Sequence, residues 1–190
     1  MTSMKVLVTG GTGHLGSAIV ELLEERSHDV RVLARHPGDD PVVEWVQGDL
    51  ATGEGVRPAV AGAETVIHAA TNSPAARRGG FRPLPTDVRM QAVDSDDFAK
   101  FVVQCATDGR RGEREDFAGP EALTMRELAE QFLAARGLRK RIWNAPVPQR
   151  IQSALEAGNT SPAARRGTTT WAEWLRRSGA APPATIERAA

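Results

Sequence analysis

The chain has 190 residues, 41% hydrophobic and 25% charged, the mixture of a globular protein of about one domain rather than of a disordered chain. Its 24 Lys/Arg balance 24 Asp/Glu, which argues against the basic excess of a dedicated nucleic-acid or membrane-surface binder. A single cysteine, Cys105, excludes an intramolecular disulfide framework or a cysteine-cluster metal site, and no apolar run nears the ~20 residues that span a bilayer. With no secretory apolar segment ahead of Lys5, the expected compartment is a reducing cytoplasm, and no metal site is expected. Charge is uneven along the chain. Residues 1–71 hold five Lys/Arg against ten Asp/Glu, and residues 72–190 hold nineteen against fourteen. Scattered solvated arginines account for this more simply than two facing halves of opposite sign.

Met4–Thr9 is short, apolar and β-branched, as a buried parallel strand is. Gly10-Gly11-Thr12-Gly13 breaks it. Leu15, Ala18, Ile19, Leu22 and Leu23 then recur on one face of an amphipathic helix. Val30–Ala34 and Val42–Gln47 read as the second and third strands. A short helix is expected over Gly53–Ala61 and a fourth strand over Glu64–Ala69. Alternating strands and helices predict an α/β fold with a Rossmann-like, doubly wound parallel sheet.

The chemistry concentrates at the first turn, Gly10-Gly11-Thr12-Gly13-His14-Leu15-Gly16. Gly10 permits the tight turn, Gly13 lets a pyrophosphate approach the backbone, and Gly16 lets the helix pack closely on the strand. The helix then offers unpaired N–H groups and its positive dipole end to phosphates. Because the glycines follow a strand and open a helix, they indicate dinucleotide binding rather than a merely structural turn. Thr12, His14 and Leu15 complete the expected cofactor turn. The second strand ends in Ala34-Arg35 with no acid for a ribose hydroxyl. Arg35 suits a 2′-phosphate, so NADP(H) is expected over NAD(H). Asp39 and Asp40, beyond Pro37-Gly38, are expected on the loop surface. Asp49 can accept from the adenine amino group, Leu50 can cover the ring, and the small Ala69, Ala70 and Thr71 leave room for cofactor. His68 alone is more often packed than catalytic.

Met4–Gly16, with Arg35, Gly48-Asp49-Leu50 and His68-Ala69-Ala70, resembles the short-chain dehydrogenase/reductase superfamily. The glycine spacing is similar to that of its extended and atypical members, especially NmrA-like NAD(P)-binding proteins. The resemblance covers residues 1–71 and resumes near Asp87. It implies an NAD(P)-binding Rossmann core followed by a substrate lobe.

Past Asp87, Val88–Val93 reads as a strand. A helix capped by Asp94 or Ser95 should present Phe98, Phe101, Val102 and Cys105 on one face and end near Gly109. Cys105 there is core, not nucleophile. Glu115–Ala118 is a further short strand. Thr124-x-x-Glu127 and Thr170-x-x-Glu173 are capping boxes. The first opens a helix with Met125, Leu128, Ala129, Phe132 and Leu133 inward and Gly137 past its end. Val147–Ala157 is another helix, and Trp171, Trp174 and Leu175 share a stripe. Residues 113–136 are similar to the family's C-terminal part. There Trp143, Trp171 and Trp174 either line a substrate pocket or, more simply, form core or a dimer face. The expected organisation is a dinucleotide-binding core over 1–71, a linker over 72–86, a small, mostly helical C-terminal part over 87–178, and a tail over 179–190.

One stretch departs from the family pattern. Only 15 residues, Asn72–Thr86, separate the fourth strand from Asp87, too few for a βαβ unit of ~30 residues. Family members place two further strands, a serine and a catalytic Tyr-x-x-x-Lys helix there. This chain has no tyrosine and only three lysines, Lys5, Lys100 and Lys140. The sheet is therefore shortened in the middle, and the fourth strand is left with an apolar edge. A second copy of the chain, the chain's own later elements, or nothing at all (an internal deletion) can stand at that edge; a homodimer is the expectation. Ser73–Gly79 recurs identically as Ser161–Gly167, which chance in an Ala/Arg-rich chain explains better than a paired anion-binding loop.

Three functions remain. The chain is an NADP(H)-dependent oxidoreductase acting on a small organic substrate with an unassigned proton donor, among water, His68, Thr71, Ser73 or substrate itself. It is a non-catalytic NADP(H)-sensing module, or it is a cofactor-independent cyclase or isomerase on the same scaffold.

Overall fold

A computed structural model describes residues 3–70, 85–109, 112–144 and 146–179. The chain forms two compact units, one of residues 1–79 with 95–114 and one of residues 80–94 with 115–190. The linker residues 72–84, the first repeat copy Ser73–Gly79 and the tail from residue 180 lie outside the described residues.

The first unit is built on four parallel strands, β1 (Lys5–Thr9), β2 (Asp29–Ala34), β3 (Glu44–Gln47) and β4 (Thr65–His68), in the order β3-β2-β1-β4. Val6, Val8, Val30, Val32 and Ile67 face one side. Helices α1 (His14–Glu25) and α3 (Ser95–Thr107) cover them with Ile19, Leu23, Ala99 and Val103. Leu7 and Leu33 face the other side, against Ala59 of the one-turn helix α2 (Val56–Val60). The middle of β1 is thus apolar on both faces, the pattern that buried parallel strands require, while β2 turns Arg31 as well as Leu33 to the α2 side. The sheet is Rossmann-like, wound on both faces and shortened. Among the described residues β4 is an edge strand, and its Val66 is 50% exposed.

Several expected boundaries move for identifiable reasons. β3 starts at Glu44 rather than Val42, because the Val42 N–H donates to Asp40 Oδ1 at 2.9 Å instead of a ladder. The helix expected from Gly53 starts at Val56, because Asp49 and Glu54 pair in an isolated bridge and the Gly53 N–H bonds Asp49 O. α3 joins the first unit, not the C-terminal part. It turns Ala99, Val102, Val103 and Ala106 to the core; Phe98 and Phe101 instead stack on each other with centroids 6.3 Å apart. Small residues at the contact let α3 approach the Ile19–Leu23 face of α1 closely.

In the second unit β5 (Arg89–Met90) pairs antiparallel with β7 (Leu123–Thr124), and β6 (Phe117–Ala118) pairs in parallel with β8 (Arg165–Arg166). The strand expected over Val88–Val93 is cut to two residues. Gln91 leaves the ladder to accept from the Ser161 N–H at 2.6 Å. Helices α4 (Met125–Ala135), α5 (Gln149–Asn159) and α6 (Trp171–Arg177) complete it. Both capping boxes form as the sequence dictates, Thr124 with Glu127 and Thr170 with Glu173. Each cap holds its glutamate carboxyl below the ordinary value, first through the threonine N–H. α5 begins at Gln149, behind Pro148 as its N-cap. The Trp171 and Trp174 rings stack 4.9 Å apart, and the Trp171 indole N–H bonds Leu128 O at 3.2 Å. Trp143 is 64% exposed.

One buried charge ties the bottom of the first sheet together. Arg31 is 6% exposed. Its Nη1 donates to the carbonyls of Pro58, Ala59 and Ala61, closing the C-terminal end of α2, and its Nη2 lies 2.8 Å from Glu44 Oε1. Lys5 Nζ is 3.0 Å from Glu44 Oε2. The Arg31 hydrogen bond, then that of Lys5, holds the Glu44 carboxyl below its ordinary value of 4.5. A lowered carboxylate adds stability that is complete above the unfolded-state value and is lost as pH falls through the folded one. Arg31→Ala should therefore cost about 2–3 kcal/mol in urea denaturation at pH 7, leaving three carbonyls short of a donor. Glu44→Gln should flatten the fall of the melting temperature below about pH 4.5 relative to the parent chain.

Candidate functional site

The chain runs from β1 to β2 to β3 in one direction and then returns to pair β4 on the other side of β1. Strand order reverses between β1 and β4, and in open α/β sheets the crevice beyond such a reversal is where ligands bind. A cavity of about 620 Å3 lies there, within the ~300–1,000 Å3 range of small-molecule sites.

Its floor is the first turn. Gly10, at φ +79°, occupies the left-handed region that glycine adopts without strain. A Cβ there would lie 2.5 Å from the backbone nitrogen of Ala70, so the turn touches the end of β4 backbone to backbone. Gly13 is the N-cap of α1; its N–H bonds Gly10 O at 2.9 Å, and no side chain caps the helix. No acidic residue occupies the first turn either. The helix end therefore keeps its N–H groups for an incoming anion. A Cβ at Gly16 would collide with Gly10 O, so that glycine lets α1 pack under the turn.

Gly10, Thr12 and Gly13 line the cavity from the first turn, and Ala69 and Ala70 from the end of β4. Leu33, Ala34 and Arg35 line it from the end of β2; Asp49, Leu50 and Ala51 follow β3. Eight of the expected positions thus share one wall. Asp49 Oδ1 accepts from the Ala51 N–H at 2.8 Å, which fixes the carboxylate at the rim. Leu50 is 43% exposed, an apolar surface open to a ring. The other expected positions lie elsewhere. His14 meets Ser95 at the start of α3, with Nε2 3.0 Å from Oγ. Leu15 packs on the core cluster, and Gly16 sits beneath the turn. Thr71 lies outside the described residues, as does Ser73.

His68 also lines the cavity. Its Nδ1 lies 2.6 Å from the Oγ1 of buried Thr9, its register partner on β1. The sequence did not signal this pair, since only strand register brings residues 9 and 68 together. Leu33 and Ala34 reach the wall from the end of the β2 ladder, and Gly48 and Ala51 from the turn that follows β3.

The site fits a nicotinamide dinucleotide on structural grounds. A glycine turn that admits no Cβ, an uncapped helix end and an arginine at the rim meet around a cavity of suitable size. A profile of the NAD(P)H-binding family matches residues 10–141. A 3-beta-hydroxysteroid dehydrogenase of Mycolicibacterium neoaurum is 45% identical over 69 residues, 35% of this chain and 19% of that protein. An epimerase family protein of Bos taurus is 49% identical over 49 residues, 26% of this chain and 16% of that protein. The alignments thus span less than a fifth of these relatives. A dTDP-glucose 4,6-dehydratase from Bacillus anthracis str. Ames, solved in complex with NAD, superposes with a TM-score of 0.65 at 12% identity. That match covers 92% of this chain and 95% of that one, and it shows a shared fold.

Thr9→Val removes the hydroxyl while keeping the shape. It should cost about 1 kcal/mol and shift the His68 Nδ1 resonance in 15N NMR, with the sheet otherwise intact.

Proposed function

Because this chain belongs to the NAD(P)H-binding family and carries the atypical short-chain dehydrogenase/reductase pattern, we propose that it binds NADP(H) in the β1–β4 crevice and works as an oxidoreductase on a small organic substrate. The observation that carries this reading is the uncapped start of α1, placed with Gly10 and Gly13 on the floor of the cavity and Arg35 on its rim. The backbone N–H groups after Gly13 would hold the diphosphate. The guanidinium of Arg35 would pair with a 2′-phosphate, and no carboxylate at the end of β2 competes for a ribose hydroxyl. Asp49 Oδ2 and the Leu50 side chain would meet the adenine. When bound, the nicotinamide supplies hydride transfer.

The chain's own task is then to orient substrate and move a proton without a tyrosine, of which it has none. His68 is the titratable imidazole on the cavity wall. With Nδ1 engaged by Thr9 Oγ1, its Nε2 is the nitrogen left for proton exchange. The missing tyrosine favours a second reading, a module that binds NADP(H) and reports its redox state without turnover.

Calorimetric titration with NADPH and NADH separates these. The parent chain should bind NADPH more tightly than NADH. Arg35→Ala should weaken NADPH about tenfold or more and NADH less than about twofold, the loss of one charge-assisted pair. Equal losses overturn the phosphate assignment. NADPH oxidation in a panel of ketones, enones and quinones supports the enzyme, and tight binding without turnover supports the sensing module.

A further inference from the structure

The segment between β2 and β3 carries Arg35, yet nothing in a nine-residue loop of this composition fixes an arginine in place. Arg35, His36, Asp39 and Asp40 are all exposed. Trp45 of β3 supplies the fixation. Its ring packs against the core cluster of the sheet, beside Val32 in the strand register. From there the indole N–H donates to the backbone oxygen of Asp40 at 3.0 Å, holding the far end of the loop. The middle of the loop lies on the ring face. A Cβ at Gly38 would lie 2.5 Å from Cζ2 and 2.8 Å from Cη2 of Trp45, so only glycine allows this approach without displacing one or the other. Asp40 does not line the cavity, and its Oδ1 is engaged by the Val42 N–H at 2.9 Å. The near end of the loop is held by the β2–β3 pairing, in which the Gly48 N–H bonds Ala34 O at 3.0 Å. Arg35 thus leaves a loop tied at its start, middle and end.

We propose that Trp45 is the positioning residue for cofactor choice. By clamping Gly38 and Asp40, it presents Arg35 at the cavity rim and keeps the Asp40 carboxylate off a 2′-phosphate. Trp45 does not line the cavity and acts through the loop. Holding a guanidinium in a fixed loop lowers the ordering cost of each phosphate contact, so loosening the loop weakens phosphate binding selectively. The inference rests on the cofactor reading above and adds to it a residue outside the site.

The test is calorimetry of the full chain with NADPH and with NADH. Trp45→Phe keeps an aromatic ring but removes the donor; Gly38→Ala pushes the loop off the ring. Each should raise the NADPH dissociation constant by about three- to tenfold, the scale of one lost hydrogen bond with its ordering, and leave that of NADH within about twofold. Retained NADH binding doubles as the check that the crevice is folded. If Trp45→Phe fails to fold, Gly38→Ala carries the same comparison. In an Arg35→Ala background, Trp45→Phe should leave the NADPH-to-NADH ratio unchanged, because the effect passes through Arg35. Parallel losses for both nucleotides, or an equal change of ratio in the Arg35→Ala background, overturn the role of Trp45 while leaving the cofactor reading standing. A parent chain that binds neither nucleotide sinks the cofactor reading itself, and this inference with it.

Discussion

At the end of β1 the backbone of the first turn lies directly against the backbone at the end of β4. No Cβ fits at Gly10 without striking Ala70, and none fits at Gly16 without striking Gly10 O. These contacts fix three things together. They set the separation of β1 and β4 at their carboxyl ends, they seat α1 under the turn, and they aim its uncapped N-terminus at the cavity. Every part of the proposed chemistry depends on this approach. Phosphate recognition by main-chain N–H groups has no side chain to adjust and must be built into the backbone path.

The two faces of the four-stranded sheet are held by different means. On the α1–α3 side, apolar packing suffices, since Val6, Val8, Ile19, Leu23 and Val103 are essentially inaccessible. On the other side α2 is only five residues long, too short to hold by its own ladder, and its carbonyl end is closed by Arg31. The guanidinium reaches Glu44 as well, so the polar link runs from α2 through β2 to β3 and, by Lys5, to β1. Burying a charge is costly in isolation. Here it has three carbonyl acceptors and a carboxylate, and it substitutes for the apolar cover that a longer helix would bring.

The first 70 residues were legible because each signal was local. The strand–glycine–helix succession and the period of each strand and helix follow from residues close together in the chain, as do the two capping boxes farther on, Thr124 with Glu127 and Thr170 with Glu173. The C-terminal half was less legible, for a physical reason. The sequence places Phe98 and Phe101 in the core by size, whereas the α1 contact selects the small Ala99 and Ala106 for close approach. Likewise Gln91 ends a promising strand because its side chain bonds a backbone N–H seventy residues away. The site was half legible for the same reason. Glycines, Arg35 and Asp49 announce themselves by type and position, but Thr9 with His68 and Trp45 with Gly38 are pairs made by strand register and loop return.

The position of β4 has a consequence for how the site behaves. Among the described residues this strand pairs only with β1, yet it carries His68, Ala69 and Ala70 on the cavity wall. An edge strand with a half-exposed Val66 has fewer apolar contacts to lose on opening than β1 or β2, whose central residues are fully covered. A dinucleotide seated on Gly10 and Ala70 touches both sides of the β1–β4 seam and would be bound only when the seam is closed. Its binding free energy would then be added to this edge junction of the sheet, in proportion to the logarithm of its concentration over its dissociation constant. A cofactor seated there would for that reason favour the docked position of β4, through the same backbone contact that makes room for the diphosphate.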